Sequence, residues 1–215
     1  TAFMNAQDNK KIVFIFLFFL LLSCTTKPVL SNQIIKAYST SSAQPWMNDL
    51  FACADEMSVV VKVTADDPDI YLRIGEPEDV LTPVFQIDEE ELLIVTHRES
   101  PVQNLSIEEA QALFAGASEL DAQVWVYPPE LDLSGVFDQF VMQGRGVTSA
   151  ARVAVSPQEM SDVLNNEVNA VGILPRHWKA GSVREVYSVG KFPVLAVTRD
   201  EPQGEISQLL ACLQK

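Results

Sequence analysis

The sequence has little of what most catalytic and metal-binding chemistries require. It holds two histidines, His97 and His177, and three cysteines, Cys24, Cys53 and Cys212. The histidines stand eighty residues apart, and neither lies at metal-ligand spacing from a cysteine or a carboxylate pair. Each therefore reads as a polar surface or hinge residue rather than a zinc ligand or catalytic base. No C-x-x-C, H-E-x-x-H, P-loop or G-x-S-x-G elbow occurs. Gly144-Arg145-Gly146-Val147-Thr148-Ser149 begins like a dinucleotide loop, but it lacks the third glycine and follows a helical pattern instead of a strand, so it reads as a turn. The run Asp88-Glu89-Glu90-Glu91 lacks the alternating ligands and central glycine of a calcium loop and reads as a solvated turn. Nothing in the sequence supports an enzyme, and no metal or cofactor is expected.

Basic residues are also scarce: 15 Lys and Arg stand against 29 Asp and Glu, a formal charge of −14. A duplex binder needs a basic face to displace counterions, and anionic lipid needs a polybasic patch, so nucleic acid and a charged membrane surface are excluded as partners. A small oxyanion is not excluded. Such ligands are held by backbone N–H groups and hydroxyls at helix starts, where local geometry outweighs net charge.

A membrane-spanning run is absent as well. Ile12 to Leu22 is eleven apolar residues, well short of the roughly 18 to 20 that cross a bilayer. Preceded by Lys10-Lys11 and closed by Leu21-Leu22-Ser23-Cys24, it reads as a lipoprotein signal, with Met4 the expected start, cleavage before Cys24 and lipid attached to Cys24. The expected location is the extracytoplasmic face of a cell envelope, anchored to a membrane through that lipid. Residues 24–33 form a polar tether. Without residues 1–23 the chain keeps 192 residues with 13 basic and 28 acidic side chains, a charge of −15. That length suits one domain or two small lobes. Once Cys24 is lipidated, Cys53 and Cys212 remain as an even pair where disulfides survive, and they are expected to tie the first helix to the last. Two buried free thiols are the other reading.

The periodicity places elements in an alternating order. Ile34, Ile35, Ala37 and Tyr38 make a buried strand that runs into the hydroxyl loop Ser39-Thr40-Ser41-Ser42. Pro45-Trp46 then opens a helix with apolar positions Trp46, Met47, Leu50, Phe51, Ala54 and Met57. Strand, hydroxyl loop and helix start together make an anion-binding geometry. Val59–Val63, Ile70–Ile74 and Leu92–Thr96 read as strands. Ser106-Ile107-Glu108-Glu109 is a capping box, and Gly116 is a helix stop. Val124–Tyr127 is a strand, and Ser134 a cap for a helix carrying Val136, Phe137, Phe140 and Val141. Ser156-Pro157-Gln158-Glu159 is a second capping box. Ala170–Leu174 and Phe192–Thr198 are strands, and Ile206, Leu209, Leu210 and Leu213 stripe a last helix. Such alternation implies an α/β fold with largely parallel sheets covered by helices.

The segment Leu93-Ile94-Val95-Thr96-His97-Arg98-Glu99-Ser100-Pro101-Val102-Gln103-Asn104-Leu105-Ser106, continuing to Leu113-Phe114-Ala115-Gly116, resembles the crossover of phosphate-type periplasmic substrate-binding proteins of ABC importers. There a strand and an N-P-x-N-P-V-like turn lead to an L-S-L-E-x-x-x-x-I-F-x-G helix. Asn169-Ala170-Val171-Gly172-Ile173-Leu174 is similar to that family's n-p-g-a-I-G-Y strand. The resemblance implies a two-lobed type-2 periplasmic-binding-protein-like fold, with mixed, mostly parallel sheets flanked by helices. Lobe 1 is expected from residues 34–96 plus 179–215, and lobe 2 from 97–178. It further implies an oxyanion clamped between the lobes. Ser39, Thr40, Ser41 and Ser42 match the first-lobe loop, Gly75 and Glu76 a ligand-proximal loop, and Ser156 the head of a second-lobe helix.

One departure is marked. Phosphate binders of this type carry an S-G-T-R-D-x-F turn, whereas this chain has Tyr127-Pro128-Pro129-Glu130-Leu131-Asp132-Leu133-Ser134-Gly135-Val136-Phe137. Two prolines remove N–H donors, and acids stand where a guanidinium fork belongs. Arg145, Thr148 and Ser149 are the candidates to compensate. The reading that follows is a lipid-anchored, monomeric receptor for a small oxyanion or polar solute, serving an ABC permease. The alternative is a binding-protein-fold lipoprotein repurposed for sensing or protein interaction without transport.

Overall fold

The computed structural model describes residues 34–77 and 81–214. The expected signal segment, Cys24 and the 24–33 tether lie outside those residues. Eight strands form a sheet in the order β2-β1-β3-β8-β4-β7-β5-β6. They are β1 (Ile34–Ser39), β2 (Val60–Val63), β3 (Ile70–Ile74), β4 (Val84–Thr96), β5 (Gln123–Val126), β6 (Arg152–Val153), β7 (Ala170–Pro175) and β8 (Arg184–Thr198). The helices are α1 (Pro45–Glu56), α2 (Ile107–Phe114), α3 (Asp132–Phe137), α4 (Pro157–Asn166) and α5 (Gly204–Leu213). β1 pairs in parallel with β2 and β3, and β5 with β6 and β7. The antiparallel pairings are β3 with β8, β8 with β4, and β4 with β7. The fold is thus a mixed α/β sheet flanked by helices, as the resemblance implied.

Two long strands join its halves. β3 pairs with the Val194–Thr198 end of β8, while β7 pairs with the Leu92–Pro175 to Thr96–Val171 end of β4. Between those ends β4 and β8 pair with each other along nearly their whole length. Leu92, Leu93, Ile94 and Val95 are fully buried, and so are all six residues of β7. Central strands covered on both faces show this unbroken apolar character.

The acidic run Asp88–Glu91 corrects the expectation of a solvated turn: it lies inside β4. Period-two geometry turns Glu90 inward, where its residue is 1% exposed, and leaves Glu89 facing solvent. Charge density suggested a turn, yet the ladder to Lys191, Phe192 and Pro193 of β8 fixes the strand. The strand starting at Phe192 likewise begins at Arg184.

Ser134 is a second correction, since α3 begins two residues earlier. Leu131 occupies the N-cap, and the Asp132 carboxylate accepts the Leu133 N–H at 2.9 Å, which fixes the start. α3 runs on as a π-helical turn, Asp138–Met142, that ends at Gln143 in the left-handed region. Of the two capping boxes, Ser106/Glu109 is complete in both directions. Ser156 caps α4 through the Glu159 N–H, but Glu159 returns to the Val155 N–H rather than to that of Ser156.

Cys53 of α1 and Cys212 of α5 are disulfide-bonded with Cα atoms 6.0 Å apart, across 159 residues of sequence. Closing so long a loop restricts the unfolded chain strongly. Reduction, or paired Cys53→Ala and Cys212→Ala substitution, is expected to cost about 2–5 kcal/mol. Urea unfolding with and without reductant measures it; an unchanged midpoint would show that the bridge adds nothing.

Candidate functional site

The loop that follows β1 carries the hydroxyls of Thr40 and Ser42, and both residues are buried. The loop is held from several sides. The Thr40 N–H donates to the Leu72 carbonyl at 3.0 Å, the Ala43 N–H donates to Thr40 Oγ1 at 3.2 Å, and Trp178 Nε1 donates to the Ser42 carbonyl at 3.1 Å. The two hydroxyl oxygens lie 2.8 Å apart.

Both hydroxyls meet one carboxylate. Thr40 Oγ1 donates to Asp132 Oδ2 at 2.8 Å, and Ser42 Oγ donates to Asp132 Oδ1. The Ile74 N–H, at the end of β3, adds a bond to Oδ2 at 2.8 Å. With the Leu133 N–H, Asp132 accepts four hydrogen bonds, which fills the acceptor capacity of an ionised carboxylate. Among the described residues, no ion pair includes Asp132. An anionic group is thus held by neutral donors alone, and Asp132 is itself only 9% exposed.

Beside this carboxylate is a cavity of about 800 Å³ whose lining includes Arg73, Gly75, Glu76, Glu130, Asp132 and Lys191. It carries both signs of charge. Arg73 Nη2 reaches the Glu76 carbonyl at 3.4 Å, while its buried Nε has no partner among the described residues. A second, mainly apolar cavity of about 500 Å³ is lined by Tyr127, Phe137, Met142, Val147, Thr148 and others. Tyr127 donates its hydroxyl to the Ile173 carbonyl at 2.7 Å, and burial pushes its phenol well above the ordinary value, so it stays neutral.

The structure therefore groups some expected site residues and separates others. Thr40 and Ser42 converge on Asp132. Ser39 ends β1, and Ser41 is half-buried in the loop. Gly75 and Glu76 line the larger cavity and Thr148 the smaller one. Arg145 and Ser149 are exposed, and Ser156 is occupied as the cap of α4. Asp132 is the residue that sequence reasoning passed over. It registered only as the loss of a fork, because no local pattern pairs a turn acid with a hydroxyl loop ninety residues away.

Next to the loop, the 3-10 turn Arg176–Trp178 follows β7 on the way to β8. Arg176 forks to Glu185 of β8 at 3.0 and 3.1 Å and reaches Glu91 of β4 at 2.8 Å. Buried Glu90 accepts the Arg176 N–H at 3.0 Å and lies 2.7 Å from His177 Nδ1, whose ring packs on Trp46 with centroids 4.7 Å apart. His177 thus lies in the turn between β7 and β8, held between Glu90 and Trp46. Burial raises the Glu90 carboxyl above its ordinary 4.5, partly opposed by His177. His97 sits elsewhere, accepting the Glu99 N–H at 3.1 Å. Among the described residues no group of three or more His, Cys, Asp or Glu is placed to hold a metal ion.

No protein-family model matches the chain, and no curated protein matches it. Solved structures do. A candidate phosphate ABC transporter substrate-binding protein from Clostridium perfringens, solved with bound phosphate, superposes with a TM-score of 0.75 at 13% identity, over 84% of this chain and 93% of that one. An ABC-type phosphate transport receptor from Vibrio cholerae gives 0.65 at 16% identity, over 84% and 93%. A sulfate-bound OxyR2 regulatory domain, an E204G mutant from Vibrio vulnificus, gives 0.65 at 9%, over 85% and 95%. The chain has a periplasmic-binding-protein-like fold. At these identities the likeness is one of fold, and it meets the resemblance read from the Leu93–Gly116 segment.

Two outcomes are expected. Gly75 has φ +75°, and a Cβ there would meet Val136 Cγ2 at 2.6 Å, so Gly75→Ala should destabilise by about 1–3 kcal/mol, read by urea unfolding; a neutral result would show that the β3 end can rotate away from α3. A raised Glu90 means that the fold favours the protonated form. Its stabilising contribution is complete below 4.5 and is lost as pH rises through the folded-state value. Melting of Glu90→Gln relative to wild type should therefore show a gain that grows from pH 4 toward neutrality, and a gain independent of pH would refute this origin.

Proposed function

We propose that the chain is a lipid-anchored extracytoplasmic solute-binding protein that captures a small polar solute between the halves of its fold and presents it to an ABC permease. The observation that carries this reading is the cavity of about 800 Å³ beside Asp132, lined by Arg73 and Lys191 on one side of the charge balance and Glu76, Glu130 and Asp138 on the other. Its size suits a small ligand. Its mixed charge favours a solute with both signs, or a polar neutral one, over a phosphate dianion. The bound phosphate of the Clostridium perfringens neighbour supports small-solute capture by this fold. The anchor rests on Lys10-Lys11, the apolar run and Cys24.

A second reading is a lipoprotein of the same fold that senses or binds another protein without transporting solute. Asp132 favours it, because the hydroxyl loop that would take an oxyanion already holds a carboxylate.

Thermal melting of residues 25–215 against phosphate, sulfate, molybdate, organic acids and amino acids separates the two. Transport-type binding predicts saturable stabilisation by one class, of about 2–4 °C for each kcal/mol contributed, lost in Arg73→Ala. A flat response across the panel favours the second reading.

A further inference from the structure

We infer that Asp132 is a tethered ligand: its carboxylate fills the oxyanion seat made by Thr40, Ser42 and Ile74, so that the two halves of the fold are joined without a free anion. The inference stands apart from the identity of any solute in the neighbouring cavity.

The seat has the chemistry of an anion receptor. Two hydroxyls and the Ile74 N–H converge from one half of the sheet. Each hydroxyl has a single proton, and geometry directs both to the carboxylate. Thr40 Oγ1 is left to accept from Ala43, and Ser42 accepts from Trp178 through its carbonyl. Thr40 and Ser42 are 8% and 0% exposed, and each hydroxyl could otherwise reach only the other, so without the carboxylate at least one buried proton would lack an acceptor among the described residues. The ligand arrives from far along the chain, 92 residues from Thr40, 90 from Ser42 and 58 from Ile74. It projects from the first residue of α3, on the half that carries β5 and β7.

Tethering explains the composition of the surrounding turn. A free oxyanion must lose translational freedom and bring its own charge into an acidic protein, and an arginine fork normally offsets the second cost. A carboxylate fixed to α3 avoids the first and needs only one negative charge satisfied. The Pro128-Pro129 pair, which withholds N–H groups from a free ligand, costs nothing when the ligand is Asp132 itself.

Asp132→Ala should empty the seat and leave room for a free carboxylate. Its melting is measured in sodium formate and in sodium chloride at equal ionic strength, beside wild type. The expected result is a lower melting temperature in chloride and a saturable rise of roughly 5 °C in formate, with wild type moving by less than about 1 °C. Adding Thr40→Val and Ser42→Ala to the variant should remove the formate response. A folded Asp132→Ala protein that treats formate and chloride alike overturns the inference, as does a wild type that responds to formate as the variant does. Should the variant not fold in chloride, refolding in formate becomes the readout: cooperative unfolding recovered only with formate supports the tethered ligand, and none in either salt overturns it. Solute binding by wild type is measured separately, so either proposal can fail alone.

Discussion

The bond set around the Asp132 carboxylate is the constraint on which the arrangement of the halves depends. β4 and β8 join them covalently and through their ladder, but a strand pair interrupted by bulges can twist. Three bulges interrupt this pair, at Gln86/Asp88, Leu92/Leu93 and Ile94/Val95. At the hydroxyl loop, the Asp132 carboxylate reaches across to Thr40, Ser42 and Ile74, and it does so with every acceptor site filled. Removing one partner from a buried, fully satisfied set leaves the rest unsatisfied, so such a set behaves as a unit rather than as separate weak bonds.

A different kind of tie works at the Arg176–Trp178 turn. There Arg176 joins Glu91 of β4 to Glu185 of β8, Lys179 adds a bond to Glu185 at 2.5 Å, and Ser188 donates to Glu91 at 2.6 Å. Hydrogen bonds from Arg176 and Ser188 hold the Glu91 carboxyl below its ordinary range, and those from Lys179 and Arg176 do the same for Glu185. These groups are partly exposed and screened, so their worth lies in fixing the geometry of the turn more than in bulk stability. Trp178 then connects this turn to the Ser42 carbonyl, and Trp46 connects α1 to His177 by ring packing and to Asp88 by a hydrogen bond at 2.8 Å. The turn and the seat are therefore joined by direct contacts.

Much of the scaffold was legible because periodicity and caps report local chemistry. The Ser106/Glu109 box, the positive-φ stop at Gly116, the α1 stripe and the Cys53/Cys212 pair are all local or arithmetic signals, and each has its counterpart in three dimensions. What failed to show was long-range. Asp88–Glu91 looks like a turn because its charges are local, whereas its place in β4 is set by partners a hundred residues away in β8. Ser134 looks like a cap because hydroxyls are good caps, but Asp132 defines the helix start through a bond to its neighbour. The hydroxyl loop itself was visible. That its acceptor would come from the same chain was not, since no local pattern marks two segments ninety residues apart as partners.

The missing arginine and the tethered acid are two aspects of one physical choice. A site for a free dianion must supply positive charge, and in a chain of net charge −14 it must do so against the field of the whole molecule. Replacing the ligand with a side chain changes the terms. Only one charge has to be stabilised, and four neutral donors suffice at hydrogen-bonding distance. The effective concentration of a carboxylate carried on a rigid helix exceeds any that a small anion in solution reaches. A free oxyanion would thus have to displace a ligand that is always present and already saturated. The adjacent cavity is lined by Arg73, whose buried Nε lacks a partner among the described residues, and by Lys191, whose Nζ lies 3.6 Å from Glu89.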